Sequence, residues 1–233
     1  MRIRAPLAAG LAGLFAVLAA AQDSKPTLPA DVVPGTFRAH LVTDGRFAPK
    51  KGPDGKEEGP DARNRAGKLH CLVCENGINP VVAVFVRADP KSLGADSGVA
   101  KLAQAVDGLI REYRSDKVAG FVMFLRLEGG TKVVTIKTKQ ADGTEVETKV
   151  EQDQEYPDDE RRADHVKAIS EFAAAVPAPN VPFGLAAEKS KVITAWGIND
   201  TDEVTVVFYN RMRVVGQPWR FAKDADLTAE KIA

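Results

Sequence analysis

The sequence predicts an α/β domain in which helices flank a central mixed β-sheet, with a β-hairpin inserted into it. A buried strand, an amphipathic helix and a second buried strand follow one another over residues 80–127. That order produces two parallel strands joined by a right-handed crossover. A second helical pattern covers 164–176, an antiparallel hairpin spans 204–218, and a final helix begins at Leu227. Together these observations favour a mixed sheet over an all-helical or all-β fold.

The individual elements are recognised by the spacing of their apolar residues. Residues 80–86 form a continuous β-branched and aromatic run, which is typical of a central strand covered on both faces. Between 99 and 114 the apolar residues recur at helical spacing, with charges on the other side. Residues 118–127 repeat the buried-strand pattern, whereas 36–43 alternate as in a half-buried strand. A further short strand and a short helix are predicted at 181–187 and 191–196.

Two segments are predicted to add little to this core. Residues 44–68 are rich in Gly, Pro and charged residues, so we expect an exposed, flexible loop. Two Thr- and Val-rich alternating stretches flank Asp142-Gly143, a dipeptide that favours a tight hairpin turn. Lys and Glu occupy the alternate positions of these stretches. We therefore interpret 129–160 as a largely solvated hairpin inserted into a domain that spans 36–233.

The N-terminus has the pattern of a cleavable signal peptide. Residues 1–21 comprise a basic start, an apolar stretch and a small-residue end, Ala19-Ala20-Ala21. The apolar stretch is shorter than the ~20 residues that span a bilayer. We expect cleavage before Gln22, followed by a linker over 22–35. The protein is therefore expected to be exported, to a periplasm or outside the cell, with no membrane span after cleavage.

Charge and motif content limit the classes of partner and cofactor that the protein is expected to bind. The chain has 32 basic and 32 acidic residues, and removal of residues 1–21 leaves a small negative net charge. Nucleic-acid binding would require a basic face, so no nucleic-acid partner is expected. The sequence has no Gly-rich phosphate-binding loop, and we expect no cofactor. Another exported protein is the expected partner.

Two stretches carry a family resemblance. Gly67-Lys68-Leu69, followed by residues 79–85, is similar to the redoxin pattern G-K…L…G-x-P-V-V-x-x-F. Residues 195–198, leading into 204–210, are similar to the pattern Y-G-I…P-T-x-x-x-F-x-x-G. Together with the order of elements, these stretches resemble the thioredoxin superfamily, particularly its redoxin branch. The resemblance implies a thioredoxin-like fold over residues 36–233.

The sequence departs from that family at both hallmarks of its catalytic site. Thioredoxin-like enzymes place a C-x-x-C pair just after the central strand, where the following helix begins and stabilises a thiolate. The residues that follow Phe85 contain no Cys, and the pair Cys71 and Cys74 precedes the strand. The family's cis-proline precedes a later strand, and Glu203 occupies the matching place. The resemblance therefore predicts the fold and leaves the activity open.

The two cysteines allow three interpretations. Export into an oxidising compartment favours a disulfide between Cys71 and Cys74, which is then either redox-active or structural. In the redox interpretation one sulfur is the exchange nucleophile, and the neighbouring His70 stabilises its thiolate. In the third interpretation the two thiolates and His70 bind Cu(I), with His40 or His165 as a further ligand.

Position argues against strong catalysis. A segment that precedes the central strand is expected at the amino edge of the sheet, whereas chemistry in open α/β sheets gathers at the carboxyl edge. No helix is predicted beside Cys71. We therefore expect a non-catalytic or weakly redox-active binding domain. A thiol–disulfide oxidoreductase that uses Cys71 and Cys74 is the alternative, and a copper-binding, chaperone-like protein is the third possibility.

Overall fold

The computed structural model describes residues 33, 35–48, 53–56, 59, 61–127, 130–139, 144–154 and 159–232. The predicted signal peptide and almost all of the predicted linker lie outside these residues, as do parts of the segments 44–68 and 129–160. In the part of the chain that is described, no helix is both long and apolar enough to cross a membrane.

The described chain forms ten strands and five α-helices. The strands are β1 (Ala39–Thr43), β2 (Leu69–His70), β3 (Val81–Val86), β4 (Ala119–Leu127), β5 (Gly130–Lys139), β6 (Glu145–Gln154), β7 (Phe183–Ala187), β8 (Val204–Asn210), β9 (Arg213–Val214) and β10 (Trp219–Phe221). The helices are α1 (Leu72–Asn76), α2 (Gly98–Glu112), α3 (Asp159–Ala175), α4 (Lys191–Ala195) and α5 (Ala229–Ile232). Short 3₁₀ turns occur at Gly45–Phe47, Pro90–Ser92, Arg114–Asp116 and Asp224–Asp226.

Eight strands form one mixed sheet. Their order is β10-β8-β3-β4-β7-β1-β2, and β9 also pairs with β8. The strands β3, β4 and β7 are parallel, whereas β8 is antiparallel to β3 and β1 is antiparallel to β7. The predicted α/β class, with a mixed sheet between helices, is confirmed.

The first face of the sheet is covered by α2 and α3. Helix α2 begins at the N-cap Ser97, whose hydroxyl accepts the N–H of Ala100 at 3.2 Å. It buries an apolar stripe that includes Val99, Leu102 and Val106 against β3 and β4. Burial of such side chains stabilises the fold by about 1.5–3 kcal/mol each. This is why the helical spacing of the apolar residues predicts α2 correctly.

The second face carries an aromatic core under α1 and α4. Its centre is formed by rings with centroids 5.5–6.4 Å apart, from Phe37, Phe85, Phe121, Trp196 and Tyr209. Edge-to-face pairs at these distances add to the stability that burial gives. Both faces of β3 are therefore covered, as its continuous apolar sequence predicts.

The predicted hairpin is present as β5 and β6. The two strands pair in register from Gly130 with Gln154 to Lys139 with Glu145, and they form a separate two-stranded sheet. Its described side chains are exposed, apart from the half-buried Val134, and Lys137 contacts Glu147 at 2.9 Å. The charged alternate positions thus lie in solvent.

The C-terminal return strand differs from its prediction over 213–218. It is split into β9, which pairs with the carboxyl end of β8, and β10, which pairs with its amino end. Pro218 lacks an N–H group and cannot continue the ladder between the two pieces. The pairing resumes at Trp219, one residue beyond the predicted end.

Candidate functional site

The disulfide between Cys71 and Cys74 lies at the carboxyl edge of the sheet. Strand β2 pairs with β1 so that His70 lies opposite Ala39. The next residue of β1, His40, lies opposite Leu185 of β7, which is level with Val86 at the end of β3. Because β2 runs parallel to β3, Cys71 follows the carboxyl end of a strand.

The expectation that the pair lies at the amino edge is therefore wrong. The segment before β3 was expected to approach that strand directly along its amino edge. Instead, β2 first enters the sheet beside β1, and the chain crosses the second face before β3 begins. A strand of two residues has too few positions for periodicity to reveal it.

A helix does begin at Cys71, contrary to the prediction. Cys71 is the N-cap of α1, and its Sγ accepts the N–H of Cys74 at 3.2 Å. Leu72 and Val73, the first two residues of α1, are buried. Gly77, at φ 52°, ends the helix in a conformation that favours glycine. Helix α1 has only five residues, so propensity alone gave no signal for it.

The two sulfurs differ in their surroundings. The Cα atoms of Cys71 and Cys74 are 5.3 Å apart, within the normal range for a disulfide. Cys71 is half-buried and packs against the aromatic core, whereas Cys74 is exposed on the outer side of α1. A partner molecule therefore has better access to Cys74.

His70, which the sequence predicts as a thiolate stabiliser, contacts the carboxylate of Glu75. Its Nε2 lies 2.7 Å from Glu75 Oε2, and the other carboxylate oxygen lies 3.0 Å from Arg46 Nη1. Arg46 in turn donates to the buried carboxylate of Asp44 at 2.8 Å. Burial opposes the charge of Arg46, but hydrogen bonds and the charges of Asp44 and Glu75 outweigh it and raise the pKa of Arg46.

This chain of charged groups was not predicted. Asp44 opens the segment for which the sequence predicts an exposed loop, yet its side chain is fully buried. The many Gly, Pro and charged residues in 44–68 give no sign of this buried carboxylate, which is tolerated because pairing with Arg46 satisfies it. The network ties the loop after β1 to α1.

The family's usual catalytic position is filled by other groups. After β3, the side chain of Arg87 contacts Glu188 and Asp200. The amino end of α2 is capped from outside by Asp224, whose carboxylate accepts the N–H groups of Gly98 at 2.9 Å and Val99 at 2.6 Å. A carboxylate thus occupies the place where a thioredoxin-like enzyme holds its thiolate.

Gly98 is needed for this cap. A Cβ at position 98 would lie 2.3 Å from the carbonyl oxygen of Asp224 and 2.6 Å from Cβ of Leu227. The segment that contains Asp224 is held in turn by Glu203, whose carboxylate accepts the N–H of Asp224 at 2.8 Å. Glu203 is the residue at the family's cis-proline place, and the described chain contains no cis peptide bond.

His40 and His165, the further candidate copper ligands, are both partly buried near an arginine. Burial, and next the charge of Arg162, lowers the pKa of His40. Burial, and next the charge of Arg126, lowers the pKa of His165. Among the described residues, no group of three or more His, Cys, Asp or Glu side chains is arranged to hold a metal ion.

The topology of the described chain is that of a thioredoxin-like fold. Strands β3 and β4 with the crossover helix α2 form the parallel half of that fold. Strand β8, its return strands β9 and β10, and α5 form the antiparallel half. The resemblance to the thioredoxin superfamily is confirmed at the level of the fold, and the C-x-x-C pair lies on a different strand–helix junction.

Comparisons with known proteins found similar solved structures at low sequence identity. No family model matches the chain, and no curated protein matches it. Solved structures that are similar include AhpC of Mycobacterium tuberculosis, at 11% identity and a TM-score of 0.43, covering 85% of this chain and 89% of that one. The MTB protein dsbF has 12% identity and a TM-score of 0.41, covering 88% and 97%. A thioredoxin-like protein of Aeropyrum pernix has 11% identity and a TM-score of 0.39, covering 84% and 87%.

Proposed function

We propose that the protein is exported and exchanges its Cys71–Cys74 disulfide with the thiols of another exported protein. One observation carries this proposal: the pair follows the carboxyl end of a strand and begins a helix, with a backbone N–H donated to Cys71 Sγ. This is the local arrangement that favours a thiolate, on β2 and α1 rather than on β3 and α2.

The exchange begins at the exposed sulfur. A thiolate of the partner attacks Cys74 Sγ, a bond forms between these two sulfurs, and the bond to Cys71 breaks. Cys71 leaves as a thiolate, and the N–H of Cys74 stabilises it through the contact of 3.2 Å.

A second thiolate of the partner completes the reaction. It attacks the partner's own sulfur in the mixed disulfide, and Cys74 leaves. The partner dithiol is oxidised to a disulfide, and the two protein sulfurs are reduced and take up the two protons. The same steps run in reverse when a reduced pair meets an oxidised partner.

The neighbouring charges fit this chemistry. Glu75 follows Cys74 directly, and a free carboxylate there would disfavour a thiolate. Arg46 and His70 both contact that carboxylate, at 3.0 and 2.7 Å, and the charge of Arg46 offsets it. His70 is thus assigned a positioning role through Glu75 instead of direct contact with a thiolate.

An insulin-reduction assay tests the proposal, with iodoacetamide labelling of the reduced protein over a range of pH. We expect slow turnover, because α1 is a single short helix, and we expect complete loss in the Cys71→Ser, Cys74→Ser double variant. His70→Gln should slow the reaction without abolishing it. Turnover that is equal in the wild type and the double variant contradicts the proposal.

A non-catalytic binding role is the second candidate, and the Asp224 cap favours it. That carboxylate fills the helix terminus at which thioredoxin-like enzymes act. Under this alternative the disulfide is structural, the assay shows no turnover, and the double variant keeps its partner. Co-purification of the partner with wild type and double variant, from the compartment to which the protein is exported, distinguishes the two roles.

A further inference from the structure

An apolar cavity of about 370 Å³ lies on the first face of the sheet, away from the disulfide. Its walls come from α2, from the β8–β10 end of the sheet and from the segment around α5. Most wall residues are apolar, among them Leu102, Val106, Leu109, Val206, Phe208 and Trp219. The volume falls within the ~300–1,000 Å³ that small-molecule sites occupy.

Two large side chains at this cavity are open to solvent. Leu109 is 41% exposed and Trp219 is 55% exposed, although both adjoin the apolar walls. Exposed apolar surface that continues into a concave apolar cavity is typical of a binding site. An apolar ligand in the cavity would cover both side chains.

The mouth of the cavity carries one cation that is suited to an anionic ligand. Lys231 lines the cavity and also a shallower neighbouring pocket, and its Nζ lies 5.7 Å from the centroid of the Phe221 ring. Two other charged residues line that neighbouring pocket: Arg220 donates to the Gly197 carbonyl at 2.8 Å, and Asp226 accepts the N–H of Lys223 at 3.0 Å. Within the described part of the chain, Lys231 forms no ion pair with a carboxylate.

We propose that this cavity binds a long-chain carboxylate. The alkyl chain lies between α2 and β8, and the carboxylate pairs with the ammonium group of Lys231. The apolar walls select the chain, and the single cation at the mouth selects an anionic head. The site is independent of the disulfide, and it stands whether or not Cys71 and Cys74 exchange.

Calorimetric titration of the full-length mature protein with dodecanoate, below its micellar concentration, tests the proposal. We expect saturable binding of one ligand per chain, with a change in Trp219 fluorescence that is lost in Trp219→Phe. Dodecanol has the same chain without the charge, and it should bind about two- to five-fold more weakly, as should dodecanoate to Lys231→Met.

Two variants test whether the ligand binds in the cavity. Ala105→Trp fills the space and should abolish binding, whereas Leu109→Glu puts a carboxylate at the mouth and should weaken binding at least tenfold. Leu109 is partly exposed on α2, so its variant should fold even if Ala105→Trp does not. Ile78→Glu, at a site that is 72% exposed elsewhere, is the matched control and should bind normally.

Three results would overturn the proposal. The first is the absence of saturable binding to the wild type. The second is unchanged affinity in Leu109→Glu. The third is equal affinity for dodecanol and dodecanoate, which would remove the role of Lys231.

Discussion

At the scale of single residues, the two cysteines differ most in access and in backbone contacts. In Cys71→Ser the remaining Cys74 is exposed, so it should react faster with iodoacetamide at pH 8.5 than Cys71 does in Cys74→Ser. At pH 6 Cys71 should react faster than Cys74, because the N–H of residue 74 favours the thiolate of Cys71. If the reactivity of Cys71 falls with pH as steeply as that of Cys74, the assigned leaving group is wrong.

The carboxylate of Asp224 should contribute measurably to stability. Asp224→Ala leaves the N–H groups of Gly98 and Val99 without their cap, and the free energy of unfolding should fall by about 1–2 kcal/mol. Urea denaturation measures the change. The control is Glu171→Gln, an exposed carboxylate on α3, which should change stability by less than ~0.5 kcal/mol. Equal effects of the two variants would show that the cap is unimportant.

His40 and His165 should make the protein less stable in weak acid. Burial first, and a neighbouring arginine second, lowers the pKa of each below its ordinary value of 6.5. The unfolded chain therefore binds more protons, and stability is lost as the pH falls from above 6.5 through the folded pKa values. The His40→Gln, His165→Gln double variant should lose less stability between pH 7.5 and 5.5 than the wild type, as urea denaturation would show. An identical loss in both proteins contradicts this assignment.

At the scale of elements, the β5–β6 hairpin should be dispensable. Replacement of residues 130–156 by a short Gly-Ser linker keeps the start of α3 at Asp159, and it removes a separate two-stranded sheet with exposed side chains. Circular dichroism during urea titration should show one cooperative transition, within about 1 kcal/mol of the wild type. Loss of cooperative unfolding would mean that the hairpin belongs to the core.

The elements that could be predicted from the sequence are those that bury long apolar patterns. Strands β3 and β4 and helix α2 each repeat their pattern over at least six residues, and each was placed to within about two residues. Strand β2 and helix α1 span two and five residues, too few for a period. These two elements carry the cysteine pair, so the candidate site was identified by residue type while its place in the sheet was missed.

Long-range contacts explain the rest of what was missed. The cap on α2 joins residues 126 positions apart, and the Arg46–Glu75 contact spans 29 positions. No local spacing indicates either, because each partner is a common surface residue whose role depends on the folded neighbourhood. The absence of the family's catalytic cysteines, by contrast, could be predicted from one strand and the residues that follow it.

At the scale of the whole molecule, export remains a prediction. Material recovered from outside the cytoplasm should begin at Gln22, since Ala19-Ala20-Ala21 supplies the small residues that signal peptidases require. N-terminal sequencing measures this directly. Recovery of a chain that still begins with Met1 would contradict both the processing and the proposed exported partner.

The fold as a whole should survive loss of its disulfide. The ring closed by Cys71 and Cys74 is short, and chain entropy gives it only about 2 kcal/mol. Neither cysteine is among the buried residues of the two core clusters that sandwich the sheet, and Cys71 only packs against the second cluster from its margin. The Cys71→Ser, Cys74→Ser variant should therefore unfold cooperatively in urea at a lower midpoint, and a variant with no cooperative transition would show that the bond is required for folding.

Because of the Asp224 cap, deuterium exchange at two backbone amides of α2 reports on motion of the segment around Asp224. The N–H groups of Gly98 and Val99 are held by a side chain from 126 and 125 positions away, not by their own helix. They can exchange with deuterium only when the segment around Asp224 lifts from α2, and that same segment supplies Leu227, Lys231 and Ile232 to the cavity wall. Their protection factors therefore measure how often the cavity opens, and an occupant should slow both amides together.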